Sequence, residues 1–183
     1  MDQGLIPRRY AKALYKFALE RKQDKAVYGL MKNLADAFDS EASLQAAVYN
    51  PFISSADKVD LLKAAAAAGD TDADSCFRDF LKLLVENRRI AFARGIALAY
   101  IDLYRKANDI YKVEVVTAVN LGDQETARLK SLIEKHLKGA TMEYSQRVDP
   151  DLIGGFVINI DNEQLDASIS NELKQLRLKL LSN

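Results

Sequence analysis

The chain has 183 residues, 49% apolar and 28% charged, enough for one large domain or two small ones with a real core. Its 26 basic residues balance its 26 acidic ones, which argues against a surface built for bulk phosphate neutralisation along nucleic acid. A single cysteine, Cys76, excludes an internal disulfide, and one cysteine with one histidine, His136, cannot build a Cys/His zinc site.

No apolar run approaches the roughly 20 residues that span a bilayer. The opening residues lack the apolar core of a signal peptide. The chain therefore reads as soluble with a mature N-terminus, and any membrane association is expected to come through partners.

The spacing predicts a first helix over residues 6–19. Ile6, Tyr10, Ala13, Leu14 and Phe17 recur at three- and four-residue intervals and share one side, while Arg9, Lys12, Lys16 and Glu20 share another. Pro7 suits the first helical position, where its missing N–H costs nothing. Each large apolar side chain is worth about 1.5–3 kcal/mol when fully buried, so this face must pack against something. Small Ala13 leaves room for a close neighbour.

Asp24 is the expected cap of a second helix with an apolar stripe of Val27, Leu30, Met31, Leu34 and Phe38. Ser40 is the expected cap of a third, carrying Leu44, Ala47 and Val48, which Asn50-Pro51 breaks. Ser54 and Ser55 open a fourth, with Val59, Leu62 and Ala66 on one side and Gly69 as its stop. After a polar loop from Gly69 to Asp74, a fifth helix places Cys76, Phe77, Phe80, Leu83, Leu84 and Asn87 near one face. A sixth runs from about Arg89 to Tyr104 with Phe92, Ile96, Tyr100 and Leu103. Six helices with short connections favour a bundle.

The period changes near Asn108. Tyr111 to Val119 is β-branched and partly alternating, which predicts a strand. Asp123 begins a helix carrying Ala127, Leu129, Leu132, Ile133 and Leu137, and Gly139 ends it. Residues 141–148 alternate as a second strand. Asp149-Pro150-Asp151 signals a turn, and Leu152 to Ile160 a third strand, bent at Gly154-Gly155. A last helix is expected from Asp166 or Ser168, with Ile169, Leu173, Leu176 and Leu180 at helical spacing, a stripe that reads as core. The expected architecture is mainly α: a six-helix bundle over 1–107, then a small α/β domain over 108–183. Three short strands make that second domain the less stable part.

Catalytic signatures are missing from this pattern. His136 sits among Lys135, Leu137 and Lys138 near a helix end and reads as solvated, and Cys76 as a small core residue. Asp70, Asp72 and Asp74 read as capping and solvated groups rather than calcium ligands. There is no Walker-type phosphate loop, and Gly154-Gly155 leads into a strand, not a helix. Arg88-Arg89 with Lys82 and Arg94 form a small basic patch without the aromatic interleaving of a single-strand binder.

Six segments in order carry a resemblance. They are Arg9-Tyr10-Ala11-Lys12-Ala13-Leu14; Asn50-Pro51-Phe52-Ile53 with Lys58; Phe80 to Ile90; Val113 to Leu121 with Thr117-Ala118; Asp149 to Ile158; and Asp166-x-Ser168. They run in order from Arg9 to Ser168 and so span almost the whole chain, which resembles the delta subunits of bacterial F-type ATP synthases, counterparts of the mitochondrial oligomycin-sensitivity-conferring proteins. The lack of a presequence favours a bacterial origin.

The resemblance implies a non-catalytic stator, or peripheral-stalk, subunit with no cofactor. It is expected to link the catalytic head to the membrane-anchored b stalk at the cytoplasmic face of the cell membrane, as one copy within the complex. Residues 1–107 would receive the amphipathic N-terminal helix of an alpha subunit in a groove between the first and fifth helices. Tyr10, Ala13 and Leu14 would contribute on the first helix, Asp79 and Leu83 on the fifth, and Arg89 at its end. Asp79 stands where the resemblance implies an uncharged polar residue. Residues 108–183 would bind the C-terminal ends of the b subunits. The rival reading from another class is a stand-alone helical RNA-binding or regulatory module using Arg88 and Arg89, which predicts steeply salt-dependent binding.

Overall fold

The computed structural model describes residues 4–69, 74–137, 139–161 and 163–181, without the side chains of residues 175, 176 and 179–181. Asp70, Asp72 and Lys138 therefore lie outside the described residues, as do the side chains of Leu176 and Leu180. The chain divides into two units, Met1–Ala107 and Asn108–Asn183. The first contains α1 (Leu5–Glu20), α2 (Asp24–Ser40), α3 (Ala42–Tyr49), α4 (Ser55–Ala65), α5 (Ser75–Glu86), a 3-10 turn (Ile90–Phe92) and α6 (Ala93–Ala107). The second contains β1 (Ile110–Thr117), α7 (Asp123–His136), β2 (Thr141–Val148), a 3-10 turn (Pro150–Leu152), β3 (Gly155–Ile160), β4 (Glu163–Ser168) and α8 (Ile169–Leu181). The fold is mainly helical with one small four-stranded sheet.

In the first unit α6 is the central helix, packed against both α1 and α2. Small residues set the close approach: Ala11, Ala18 and Ala97 are fully buried, and a Cβ on Gly95 would lie 3.2 Å from the Pro7 ring. Four tyrosines fill the other side of this contact. Tyr15 meets Tyr100 and Tyr104 edge-on, and Tyr28 stacks on Tyr104 with ring centroids 4.2 Å apart. The Tyr100 hydroxyl donates to the Asp24 carbonyl at 3.2 Å, which satisfies a polar group that burial would otherwise penalise. Burial also pushes the Tyr100 phenol far above its ordinary value.

Local chemistry corrects several sequence expectations here. Pro7 is the third helical residue of α1, still within the turn whose N–H groups lack helical partners. Asp24 is the first residue of α2, and its side chain makes no cap. The Ser40 hydroxyl donates back to the Asp36 carbonyl at 2.9 Å, so it closes α2 and does not open α3. Ser54 caps α4 as expected, accepting from the Asp57 N–H at 3.1 Å. The end of α4 falls earlier than Gly69: Ala66 is the C-terminal cap and Ala67 takes the left-handed conformation at φ +54°. Arg89 precedes a 3-10 turn, so the sixth helix begins only at Ala93.

The sheet of the second unit has the order β2-β1-β3-β4. β1 and β2 are parallel, with α7 as the crossover between them, while β3 runs antiparallel to both β1 and β4. Val113, Val115, Ile133 and Ile158 form the core. β4 is the strand that the sequence pattern did not announce. Five of its six residues are exposed, so it carries no alternation and exists through its ladder with β3. The last helix accordingly starts at Ile169. Ile169 and Leu173 are 43% and 56% exposed, so the stripe read as core is open at both positions.

The Asp149–Ile158 and Asp166-x-Ser168 segments meet at this junction. Asp166 accepts from the Ser168 hydroxyl at 2.6 Å, and the Ser168 hydroxyl oxygen accepts from the Asn171 N–H at 3.2 Å. These bonds hold the Asp166 carboxyl below its usual value. The Gly154 carbonyl accepts from the Ile169 N–H at 3.0 Å. Gly155 has φ +77°, and a Cβ there would sit 2.2 Å from the Ala167 carbonyl oxygen. No side chain fits that space. Gly155→Ala is therefore expected to destabilise the second unit by about 2 kcal/mol or more, seen as faster amide hydrogen exchange across β1–β4 with residues 5–107 unchanged. In the wild-type chain, exchange is expected to be faster in 111–183 than in 5–105, because the second unit has the smaller core; equal protection would contradict this.

Candidate partner-docking surface

α1 carries two apolar stripes, and only one of them is buried. Pro7, Ala11, Leu14 and Ala18, at i, i+4, i+7 and i+11, face the interior. Ile6, Tyr10, Ala13 and Phe17 repeat the same spacing one residue earlier. Along that stripe Ile6, Tyr10 and Phe17 are half-buried and Ala13 is exposed. The single apolar face expected from the sequence is thus split. Leu14, 2% exposed, belongs to the core, while Tyr10 and Ala13 stand at an open edge.

α5 is α1's neighbour along this edge. The Arg21 guanidinium, just beyond α1, donates to the Asp79 carboxylate at 3.2 Å and lies 4.2 Å over the Phe17 ring. The Gln23 side-chain oxygen accepts from the Ser75 hydroxyl at 3.2 Å and the Cys76 N–H at 3.3 Å. The end of α1 therefore meets the start of α5. At the other end, α6 follows shortly after α5, and its Gly95 abuts Pro7 near the start of α1. α5 thus runs back along α1.

On α5, Cys76, Phe77, Phe80, Leu81 and Leu84 point inward. Leu83 does not: it is 44% exposed, and Asn87 beside it is exposed as well. Asp79 is ion-paired with both Arg21 and Lys82, the latter at 3.6 Å. It links α5 to the residue just beyond α1 and does not present a bare charge. Arg89 is exposed in the turn after α5, with its guanidinium 5.7 Å over the Phe92 ring. Of the six residues singled out from sequence, Tyr10 and Ala13 lie on the outer edge of α1, Asp79 and Leu83 on the outer side of α5, Arg89 in the turn after it, and Leu14 in the core. Ile6, Phe17 and Arg21 belong to the same surface. Their signal was the second i, i+4, i+7, i+11 series and the position of Arg21 one turn after Phe17.

The second unit has an apolar recess of about 410 Å³ between α7 and the β3–β4 hairpin, with Leu129, Leu132 and Ile133 on one side and Phe156, Ile158 and Leu165 on the other. His136 is exposed at its rim. Cys76 is fully buried, and burial pushes its thiol up against the opposing pull of Arg21. Among the described residues no three His, Cys, Asp or Glu side chains converge as a metal site would need. Two of the four residues of the basic patch are ion-paired, Arg94 to Asp39 at 2.8 Å and Lys82 to Asp79.

A family model described as ATP synthase delta (OSCP) subunit matches residues 6–180. The chain belongs to that family. It is 40% identical to the ATP synthase subunit delta of Parabacteroides distasonis over 183 residues, all of this chain and 99% of the relative. It is 32% identical to that of Phocaeicola vulgatus over 179 residues, 98% and 95% of the two chains. A chain in the cryo-EM structure of the Toxoplasma gondii mitochondrial ATP synthase hexamer superposes with a TM-score of 0.74 over 97% of this chain and 98% of its own. At 22% identity that match speaks for the fold. Membership makes the chain a structural, non-catalytic stator subunit of an F-type ATP synthase, and the stand-alone RNA-binding reading falls away. No described helix is long and apolar enough to cross a membrane, in keeping with a peripheral part of a membrane-associated complex.

Core and edge positions of α1 and α5 are expected to respond differently to truncation. Leu14→Ala is expected to cost about 2–4 kcal/mol of stability and Leu83→Ala well under about 1.5 kcal/mol. Denaturant unfolding of the two variants checks this, and equal costs would contradict the split between stripes.

Proposed function

We propose that the first unit, acting as a six-helix bundle, grips the N-terminal amphipathic helix of an ATP synthase alpha subunit between α1 and α5. The second unit then holds the C-terminal ends of the b subunits, at the cytoplasmic face of a bacterial cell membrane and with one copy in the complex. The observation that carries this is the Ile6–Tyr10–Ala13–Phe17 stripe, left open beside exposed Leu83. A helix laid there buries apolar side chains on both walls, the usual helix-in-groove contact. Tyr10 and Phe17 supply large, stiff contact surface, and Ala13 lets the incoming backbone come close. The Arg21–Asp79 pair marks where the end of α1 meets α5, an exposed contact worth about 1 kcal/mol or less.

The role asks for grip and no chemistry. Torque on the rotor exerts an equal counter-torque on the catalytic ring, and a stator must carry it without slipping. Leu83→Glu and Ala13→Asp each place a charge where an apolar surface is to be buried. Each is expected to weaken binding of an alpha-subunit N-terminal peptide at least tenfold by calorimetry. Unchanged affinity in both variants would remove the groove assignment.

A further inference from the structure

The two banks of the α1/α5 groove are not electrically alike. At 3.6 residues per turn, Arg9, Lys12 and Lys16 run along α1 at i, i+3 and i+7, on the solvent side of the Ile6–Tyr10–Ala13–Phe17 stripe. All three are exposed. Glu20, the acid on that face, comes only in the last turn of α1. The α5 bank is mixed: Asp79 is paired with Arg21 and Lys82, and Glu86, seven residues on from Asp79, is exposed. A row of three like charges on one bank of a chain whose total charge is zero is a local feature, not a reflection of overall composition.

Resting on the docking reading above, we propose that Arg9, Lys12 and Lys16 select a partner helix whose α1-facing flank is acidic, and so fix which way round it lies in the groove. An apolar groove alone accepts an amphipathic helix in either direction with similar burial. A basic bank facing a mixed one does not, because reversing the helix exchanges its flanks, takes its acidic side away from Arg9, Lys12 and Lys16 and sets it beside exposed Glu86. Charges at the rim of an interface act through steering and through the cost of like-charge contact. They are exposed to solvent, so salt screens them, with a Debye length of about 8 Å near physiological ionic strength.

The test titrates the full-length chain with a synthetic peptide of the alpha-subunit N-terminal helix. The double variant Lys12→Glu/Lys16→Glu is expected to bind about tenfold more weakly than wild type at about 0.05 M salt, and within about twofold of it at about 0.5 M. Lys63→Glu/Lys106→Glu, with the same charge change on α4 and α6, is expected to bind like wild type. A peptide whose acidic residues are replaced by lysine is expected to lose affinity for wild type and regain it for Lys12→Glu/Lys16→Glu. If Lys12→Glu/Lys16→Glu binds like wild type at low salt while Ala13→Asp abolishes binding, the groove stands and the charge selection is overturned. If none of these changes alters binding, the docking reading fails with it.

Discussion

α1 carries apolar side chains on more of its circumference than one neighbour can cover, and the packing and the exposed face of the first unit follow from that excess. Pro7, Ala11, Leu14 and Ala18 face inward, and Gly95 of α6 comes close enough to touch the Pro7 ring. The contact is tight because the residues are small, and the tyrosine group around Tyr100 fixes its other flank. What remains of the apolar surface, from Ile6 to Phe17, is held in place by a helix that has no freedom to turn it inward.

Arg21 extends the same logic to α5. It lies over Phe17 and reaches Asp79, so one side chain touches both α1 and α5. An exposed ion pair contributes about 1 kcal/mol or less to stability, so the buried faces of α1 and α5 and not this pair hold the two helices in place. The charge of Asp79 is answered by Arg21, just beyond α1, and by Lys82.

Much of this was legible in the sequence because periodicity reports burial directly. α1, α2, α5 and α7 announce themselves through apolar spacing, and Ser54 through its place before α4. Periodicity alone could not divide the α1 face, because two stripes one residue apart look like one broad one until a neighbour shows which is covered. β4 was invisible for the opposite reason: Glu163 to Ser168 is almost entirely exposed, and its ladder to β3 is a tertiary fact. Ala67 in the left-handed region likewise displaced the expected Gly69 stop, because tertiary context outweighed local preference. Gly154-Gly155 was read correctly as a bend, but its reason, the close passage of Ala167 and Ile169, lies ten residues and more away.

The central claim is mechanical: this chain carries no reaction and keeps the catalytic head from turning with the rotor. The most direct measurement is ATP-driven proton pumping in inverted membrane vesicles from which this subunit has been removed and to which it is then returned. The account predicts that ATP hydrolysis continues without it while pumping collapses, and that added full-length chain restores pumping. Pumping that stays fully coupled to hydrolysis in its absence would contradict the account.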